Sequence, residues 1–237
     1  MTSTERGLWC VVPAAGRGAR FGGEVPKQYL TLAGKPMLLQ TLERLAAHPR
    51  VAGVMVALAA DDHYWRDRIA IGAMKILTTI GGERRADSVL AGLDALRERV
   101  GDDEFVLVHD AARPCIGLDD ISRLIELGTM AGGALLAAPL RDTLKRADDE
   151  QRVEATEPRD ARWRALTPQM FRYGELAAAL RAAAGTGITI TDEAMAMERA
   201  GHRPLLVEGS EGNIKITTPD DLALAEFLIA RHAKRGF

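Results

Sequence analysis

The chain has 237 residues, of which 47% are hydrophobic, and its formal net charge at pH 7 is -2. A chain of this size buries a substantial core, so we predict a single domain over residues 1–237. The near-neutral charge argues against a nucleic-acid-binding protein, no apolar run is long enough to span a bilayer, and the N-terminus lacks a signal-peptide core, which favours the cytoplasm.

Apolar runs alternate with amphipathic segments along the chain, a pattern typical of parallel α/β proteins. The runs that predict strands are 8–14, 53–59, 75–80, 105–109 and 134–140. Apolar residues spaced by three and four predict helices at 37–47, 61–71, 88–99, 118–130 and 219–232. Strands separated by helices require parallel crossovers, so we predict a Rossmann-like, doubly wound, mostly parallel sheet with its ligand at the carboxyl ends of the strands.

The loop after the first predicted strand has the composition of a polyphosphate-binding site. It reads AAGRGARFGGEVPK over residues 14–27. Gly16 and Gly18 allow the backbone to approach a phosphate closely, and successive N–H groups in such a turn bind anions. Its three cations are Arg17, Arg20 and Lys27.

Two common nucleotide motifs do not fit this loop. The string Gly-x4-Gly-Lys-Ser/Thr of a Walker A loop is absent, and Phe21 stands where the dinucleotide fingerprint needs a third Gly or Ala. The loop therefore binds phosphate, in this interpretation, through its own backbone and cations. The alternative is an ordinary strand-to-helix loop whose arginines are solvated.

The segment 141–162 is charged and poor in core-forming residues. A turn-forming stretch at 148–151 lies between Leu144 and Val153, which predicts a two-stranded ribbon. An isolated ribbon is marginally stable in water, so we expect this one to dock on another surface. A solvated, mobile loop is the alternative.

Six further motifs occur in the order seen in the family of 2-C-methyl-D-erythritol 4-phosphate cytidylyltransferases. They are GGERRADSV at 81–89, HDAARP at 109–114, RDT at 141–143, LTPQ at 166–169, TDEA at 191–194 and NIKIT at 213–217. The chain resembles this family over about residues 10–227. The resemblance implies a nucleotidyltransferase fold with a protruding β-arm, residues 139–163, that reaches across a homodimer and completes the partner's active site.

The implied reaction transfers CMP from CTP to 2-C-methyl-D-erythritol 4-phosphate, giving 4-diphosphocytidyl-2-C-methyl-D-erythritol and pyrophosphate in the non-mevalonate isoprenoid pathway. A phosphate monoester is mostly dianionic at pH 7, so the nucleophile needs no protein base. Mg²⁺ is implied as a cofactor bound mainly through the CTP phosphates, because the sequence shows no carboxylate cage. Cys10 and Cys115 show no CxxC spacing, so neither a disulfide scaffold nor a cysteine metal site is expected.

The resemblance also implies roles for individual residues. The catalytic positions are Arg20, Lys27, Arg159 and Lys215, with Arg17 as an accessory cation. The nucleotide-binding positions are Pro13, Ala14, Ala15, Gly16, Gly18, Gly82, Glu83, Ser88, Asp110 and Ala111. The polyol-phosphate positions are Arg113, Thr143 and Thr167, together with Arg159, some of them delivered by the partner subunit.

Several of these residues also have plain structural interpretations. Ser88 could cap its helix, and Asp110 could form the turn after its strand. Alternation in 213–217 predicts a strand with Lys215 on the face opposite Ile214 and Ile216, where a solvated lysine is common. His109 is interpreted as structural.

Two departures from the family pattern and two alternative functions stay open. Arg162 stands before Trp163 where the family usually has a hydrophobic residue, and Glu83 with Arg84 varies the Gly-Gly motif. The nearest alternative function is a cytidylyltransferase for another polyol phosphate, such as ribitol 5-phosphate. The second is a non-catalytic nucleotide-binding module on the same fold.

Overall fold

The computed structural model describes residues 7–16, 25–65, 71–72 and 74–234. Within these ranges the strands are β1 (Leu8–Ala14), β2 (Thr31–Leu32), β3 (Lys35–Pro36), β4 (Val51–Leu58), β5 (Lys75–Ile80), β6 (Phe105–Val108), β7 (Gly133–Pro139), β8 (Leu144–Ala147), β9 (Val153–Glu157), β10 (Trp163–Arg172) and β11 (Leu205–Glu208). The α-helices are α1 (Met37–Ala46), α2 (Arg85–Ala95), α3 (Leu118–Ala131), α4 (Tyr173–Ala183), α5 (Glu193–Arg199) and α6 (Pro219–Lys234).

The central sheet of the described chain has seven strands in the order β11-β7-β10-β6-β1-β4-β5. β10 is antiparallel to both of its neighbours, and the other neighbouring pairs are parallel. From β1 the chain builds outward to β4 and β5, then returns to place β6 on the other side of β1. The prediction of a doubly wound, mostly parallel sheet is confirmed, and its strand order reverses between β1 and β6.

Helices cover both faces of this sheet, as the alternating side chains of β1 show. Cys10 and Val12 pack in one buried cluster with side chains of α1 and α3. Val11 packs in the other cluster, with side chains of α2, α4 and α5. The contact with α2 is close, because a Cβ built on Gly92 would lie 2.5 Å from a methyl carbon of Val11. Glycine at this position therefore lets α2 approach the strand.

Helix ends follow from local residue chemistry. α3 stops at Ala131 because Gly132 adopts a left-handed conformation with φ 79°. α5 begins after Asp192, whose carboxylate accepts a hydrogen bond from the N–H of Met195 at 2.9 Å. α6 begins with Pro219 at its first position, where a missing N–H costs nothing. None of the helices in the described ranges is long and apolar enough to cross a membrane.

Some predicted elements shift or fail. α2 starts at Arg85, three residues before the predicted start at Ser88. The predicted strand over 213–217 is wrong, because this segment joins no sheet and its Ile216 N–H bonds the Ala112 carbonyl. The expected alternation holds there, with Ile216 buried and Lys215 partly exposed. The helix predicted at 61–71 is wrong for residues 61–65, which form a turn and a bend, and for Ile71, which forms a β-bridge with Met74. Residues 66–70 lie outside the described residues.

The sequence patterns did not predict β10, β11, α4 or α5. β10 contains Pro168, and a proline inside a run argues against a central strand because it cannot donate to the ladder. In the structure, the register of β10 against β7 shifts between Ala165 and Gln169, so the proline lies in an irregular stretch. This irregularity allows β10 to occupy the centre of the sheet.

The β-arm extends outward from the β7–β10 pair. Regular pairing reaches Trp163 opposite Pro139, and the Leu140 N–H then bonds the Arg162 carbonyl at 2.9 Å. Beyond this point β8 and β9 form a separate antiparallel ribbon closed by a turn in which Asp148 accepts backbone bonds. The two-stranded ribbon is therefore confirmed, and its side chains in the single chain are mostly exposed.

Candidate active site

An open cleft lies at the carboxyl ends of β1, β5 and β6, beside the point where the strand order reverses. Its cavity volume is about 240 Å³. Nine of the ten predicted nucleotide-binding residues line it, and the tenth, Gly18, lies outside the described residues. The described lining is Pro13, Ala14, Ala15, Gly16, Lys27, Gln28, Gly82, Glu83, Arg84, Arg85, Ser88, Asp110, Ala111, Ala112 and Lys215.

Gly81 and Gly82 bring the end of β5 against the start of α2. A Cβ on Gly81 would lie 2.8 Å from the side chains of both Ala15 and Ser88, and a Cβ on Gly82 would lie 2.5 Å from Asp87. The Ser88 hydroxyl accepts the Gly82 N–H and donates to the Gly82 carbonyl, both at 3.1 Å. Ser88 lies inside α2, so the helix-cap interpretation is wrong, and its hydroxyl holds the glycine turn in place.

A short 3-10 helix, Lys27–Tyr29, forms the opposite wall. Gln28 is buried and donates to the Ala14 carbonyl at 2.7 Å, which fixes this wall to the end of β1. The Lys27 ammonium donates to the Ile216 carbonyl at 2.7 Å. Two predicted catalytic lysines, Lys27 and Lys215, therefore lie on adjoining parts of the cleft.

Asp110 follows β6 and collects three cations around one buried carboxylate. Its Oδ1 accepts from Arg85 Nε at 2.8 Å. Its Oδ2 lies 2.8 Å from Lys215 Nζ and 3.5 Å from Arg113 Nε. Burial alone would raise the pKa of Asp110, but the charges of Arg85, Lys215 and Arg113 hold it well below its usual range. Asp110 is thus an ionised anchor and more than a turn former.

Arg85 continues this cluster away from the cleft. Its two Nη atoms contact the two carboxylate oxygens of Glu193 at 2.6 and 3.1 Å. Glu193 is fully buried at the start of α5, and burial raises its pKa while Arg85 acts in the opposite direction. The result is a chain of alternating charge running from α5 through α2 to the end of β6.

His109 and Thr167 form a hydrogen-bond network with the backbone of Asp110 and Arg113. The Thr167 hydroxyl accepts the Asp110 N–H at 3.1 Å and lies 2.9 Å from His109 Nδ1, and His109 Nε2 lies 3.1 Å from the Arg113 carbonyl. A carbonyl only accepts, so this network assigns the proton to Nε2, and Nδ1 accepts from Thr167. Burial lowers the pKa of His109 to about 4, so the ring is neutral at pH 7.

The predicted polyol-phosphate residues are not gathered in the cleft of the single chain. Arg113 is buried, and its Nη1 donates to the Asn213 carbonyl at 2.6 Å. Thr167 is also buried with its hydroxyl engaged inside the protein. Thr143 and Arg159 are exposed at the base of the β-arm, where Arg159 donates to the Arg141 carbonyl.

Arg17 and Arg20, which were expected to complete the polyphosphate loop, lie outside the described residues. The described cleft contains residues that the sequence analysis did not single out: Gln28, Arg85 and Ala112 in its lining, and Glu193 behind Arg85. Arg85 and Glu193 stand inside two of the quoted motifs, so the motifs were the available signal. The sequence did not predict that Arg85 and Glu193 contact each other, because they lie 108 positions apart.

The described side chains do not form a protein cage for a metal ion. No group of three or more His, Cys, Asp or Glu residues within the described ranges is arranged to hold one. The buried carboxylate of the cleft is Asp110, and both of its oxygens already face cations. Mg²⁺ commonly takes one or two carboxylates and fills its remaining positions with water and substrate phosphate. Within the described lining, Asp110 and Glu83 are the carboxylates available to such an ion.

A doubly wound sheet with an open, cation-lined cleft where its strand order reverses defines an α/β protein with a nucleotide-type site. The family described as 2-C-methyl-D-erythritol 4-phosphate cytidylyltransferase (IspD) matches residues 8–231. The chain belongs to this family.

Curated and solved relatives carry the same description. A protein of that name from Xanthomonas campestris pv. campestris (strain 8004) is 57% identical over 230 residues, which cover 97% of this chain and 87% of the relative. One from Stenotrophomonas maltophilia (strain K279a) is 58% identical over 227 residues, covering 95% and 98%. The crystal structure of the Francisella tularensis protein is 35% identical, has a TM-score of 0.80, and covers 94% and 99% of the two chains.

The buried, neutral His109 predicts a pH dependence of stability. Its usual pKa is 6.5, and its folded value is about 4. Between these two values the unfolded chain binds a proton that the folded chain excludes, so the stability contribution is complete above pH 6.5 and is lost as the pH falls to 4. The loss amounts to about 3 kcal/mol.

Urea unfolding at pH 7.5, 5.5 and 4.5 measures this loss. His109→Gln keeps an amide donor for the Arg113 carbonyl but does not titrate, so its stability should decrease less steeply with falling pH than that of the wild type. Slopes are compared because the substitution itself costs packing energy at every pH. Parallel curves for the two proteins would contradict the assignment.

Proposed function

We propose that the protein transfers CMP from CTP to 2-C-methyl-D-erythritol 4-phosphate, releasing pyrophosphate and supplying isoprenoid precursor biosynthesis. Family membership over residues 8–231 supports the reaction. The observation that carries it is the cleft itself, where the described lining has four cations, Lys27, Arg84, Arg85 and Lys215, beside two carboxylates, Glu83 and Asp110. A site that brings two anionic substrates together needs such an excess.

The attacking group is the phosphate of the polyol, which is already an anion at pH 7. The charged and neutral groups of the site agree with this chemistry. Asp110 is held ionised by three cations, and His109 is buried with both ring nitrogens bonded inside the protein. Neither group is set up as a general base, so catalysis rests on alignment and on stabilising the charge that develops on the α-phosphate and on pyrophosphate.

Lys27 and Lys215 are the described residues proposed for this stabilisation. In the structure the Lys27 ammonium bonds the Ile216 carbonyl, and the Lys215 ammonium bonds Asp110. Phosphate oxygens can exchange with these acceptors and keep each ammonium paired throughout. We assign Lys27 to the triphosphate and Lys215 to the polyol phosphate near the α-phosphorus, with Arg20 as a further cation by family resemblance.

The nucleotide base is proposed to bind the glycine turn and the end of β1. Ala14, Ala15, Gly82 and Glu83 line this part of the cleft. Cytosine is distinguished by placed donors and acceptors on its edge, which backbone groups supply. Ser88 acts here through Gly82, because its hydroxyl accepts from and donates to that residue.

Mg²⁺ is proposed as the cofactor, brought by CTP and held mainly by phosphate oxygens. Asp110 is the residue that would contact it, after exchange of one of its present cation contacts. The ion would supply neutralisation of charge on the leaving pyrophosphate.

We further propose a homodimer in which the β-arm of one chain reaches the cleft of its partner. Arg159 and Thr143 are exposed at the base of the arm in the single chain, and the ribbon beyond them is mostly exposed. A two-stranded ribbon needs a surface to dock on for stability. The arm would therefore bring Arg159 and Thr143 to the polyol phosphate in the partner's site. The expected cytoplasmic location stays a prediction.

A pyrophosphate-release assay tests the reaction. Four nucleoside triphosphates are each combined with 2-C-methyl-D-erythritol 4-phosphate and with ribitol 5-phosphate, and we expect the highest kcat/KM for CTP with the methylerythritol phosphate. Ribitol phosphate giving a value more than tenfold higher would refute the substrate while leaving the cytidylyltransferase class intact. No release with any pair would favour a non-catalytic module.

Lys27→Ala and Lys215→Ala should each lower kcat by about two orders of magnitude, because one preorganised charge contact contributes roughly 3 kcal/mol to the transition state. Lys35→Ala is the matched control, since Lys35 pairs with Glu43 at 2.7 Å outside the cleft lining. Steady-state kinetics and thermal unfolding are measured on all three variants. Near-normal turnover of a cleft variant with an unchanged melting profile would make that lysine an ordinary surface residue.

Co-expression of Lys215→Ala and Arg159→Ala chains tests the shared site. In a two-fold dimer with random pairing, about a quarter of all sites would carry neither lesion, so activity should return although each homodimer lacks it. The control mixes Lys27→Ala with Lys215→Ala, whose lesions lie in the same cleft, so no intact site can form. Purified Lys215/Arg159 heterodimer that is no more active than the mutant homodimers would rule out the shared arm.

A further inference from the structure

Glu193, in the TDEA motif, has no role in the proposed reaction, yet its side chain is 1% exposed and paired with a residue of the cleft. Each of its carboxylate oxygens accepts from one Nη of Arg85. Burying a carboxylate costs free energy because its charge loses contact with water. Good contacts at both of its oxygens offset this cost only if the partner is held in a fixed geometry. The pair therefore constrains where the Arg85 guanidinium lies.

Arg85 has three donor nitrogens, and each of them donates a hydrogen bond to a carboxylate oxygen. Nη1 and Nη2 face Glu193, so Nε alone reaches Asp110, at Oδ1. This leaves Oδ2 of Asp110 for Lys215 Nζ at 2.8 Å, with Arg113 Nε farther away at 3.5 Å. The two Nη atoms of Arg85 form its guanidinium fork. Because Glu193 occupies this fork, Arg85 uses only one oxygen of Asp110 and the other oxygen stays open to Lys215.

The position of Glu193 does not depend on the cleft. The preceding residue, Asp192, caps α5 through the Met195 N–H and accepts from Gln169 Nε2 at 2.9 Å. Gln169 Oε1 accepts the Ala194 N–H at 2.7 Å. Because Gln169 belongs to β10 in the middle of the sheet, the start of α5 is fixed to the sheet by contacts on both sides of Glu193.

We propose that Glu193 is a positioning residue: by occupying the guanidinium fork of Arg85 it reserves Oδ2 of Asp110 for Lys215 and so holds the Lys215 ammonium at the cleft. Arginine and carboxylate groups favour a two-pronged contact. With its fork unoccupied, Arg85 turns both Nη atoms to Asp110, and Lys215 loses its anchor. The catalytic part of this inference rests on the proposed function, because it assigns Lys215 to the polyol phosphate.

The geometric part is tested without substrate by a crystal structure of Glu193→Gln. Glutamine keeps the shape of the side chain, but it removes the charge and places an NH₂ group against one arm of the fork. We expect Arg85 to contact both oxygens of Asp110 and Lys215 Nζ to leave Oδ2. An unmoved Arg85 with Lys215 still on Asp110 would overturn the proposal.

The functional part is tested by a double-mutant cycle in the CTP and methylerythritol phosphate assay. Glu193→Gln should lower kcat about tenfold in the wild-type background and less than about twofold in the Lys215→Ala background, because both changes remove the same positioned ammonium. Effects on thermal unfolding should persist in both backgrounds. An equal kcat loss in both backgrounds would show that Glu193 acts only through general stability.

Asp192→Asn is the matched control. Asparagine still caps a helix but weakens the contact with Gln169. The bond from the Ala194 N–H to Gln169 remains, so Glu193 keeps both its position and its charge. We expect it to lower stability and to keep kcat within about twofold of the wild type; a loss equal to that of Glu193→Gln would contradict the proposal. Glu193→Asp, which keeps the charge at a shorter reach, goes through the same cycle and criteria if Glu193→Gln does not fold.

The two proposals fail separately. A wild-type protein that does not transfer CMP, together with a rearranged Arg85 in the Glu193→Gln crystal, refutes the proposed function and leaves the positioning of Lys215 standing. An active wild type with an unchanged Arg85 refutes the positioning role alone.

Discussion

The buried carboxylate of Asp110 is the constraint on which the described site depends. It holds Arg85 from the start of α2, Lys215 from the segment after β11, and Arg113 from its own loop. Removing one member of a buried charge cluster leaves the others unpaired, which typically costs 3–5 kcal/mol. These elements are therefore fixed relative to one another by a single anion at the end of β6.

The same cluster places cations where an anionic substrate would need them. Its lysine, Lys215, pairs with Asp110, and Lys27 bonds the main-chain carbonyl of Ile216, the residue that follows Lys215. Charges that are already oriented need no rearrangement of solvent when negative charge develops on a phosphate. His109 and Thr167 add neutral support, because their hydrogen bonds hold the backbone of Asp110 and Arg113 without adding charge.

The β-arm follows from the one strand that runs against the rest of the sheet. β7 and β10 form an antiparallel pair, so the chain between them can extend outward as a continuous ribbon. The residues at its base, Thr143 and Arg159, are exposed and do not belong to the described lining of the cleft in their own chain. The shared site proposed above starts from this geometry.

The sequence alone determined the parallel core and the chemistry of its loops, since alternation and helical spacing are local properties. β1 and β5 matched their predicted bounds, and the glycine turn and Asp110 lie together at the strand ends as expected. The tertiary structure decided the features that depend on distant partners. β10 is a central strand despite Pro168 because β6 and β7 pair with it, and Arg85 meets Glu193 because α2 and α5 pack on the same face. Contacts between residues 108 positions apart leave no periodic trace in the chain, because folding alone brings them together.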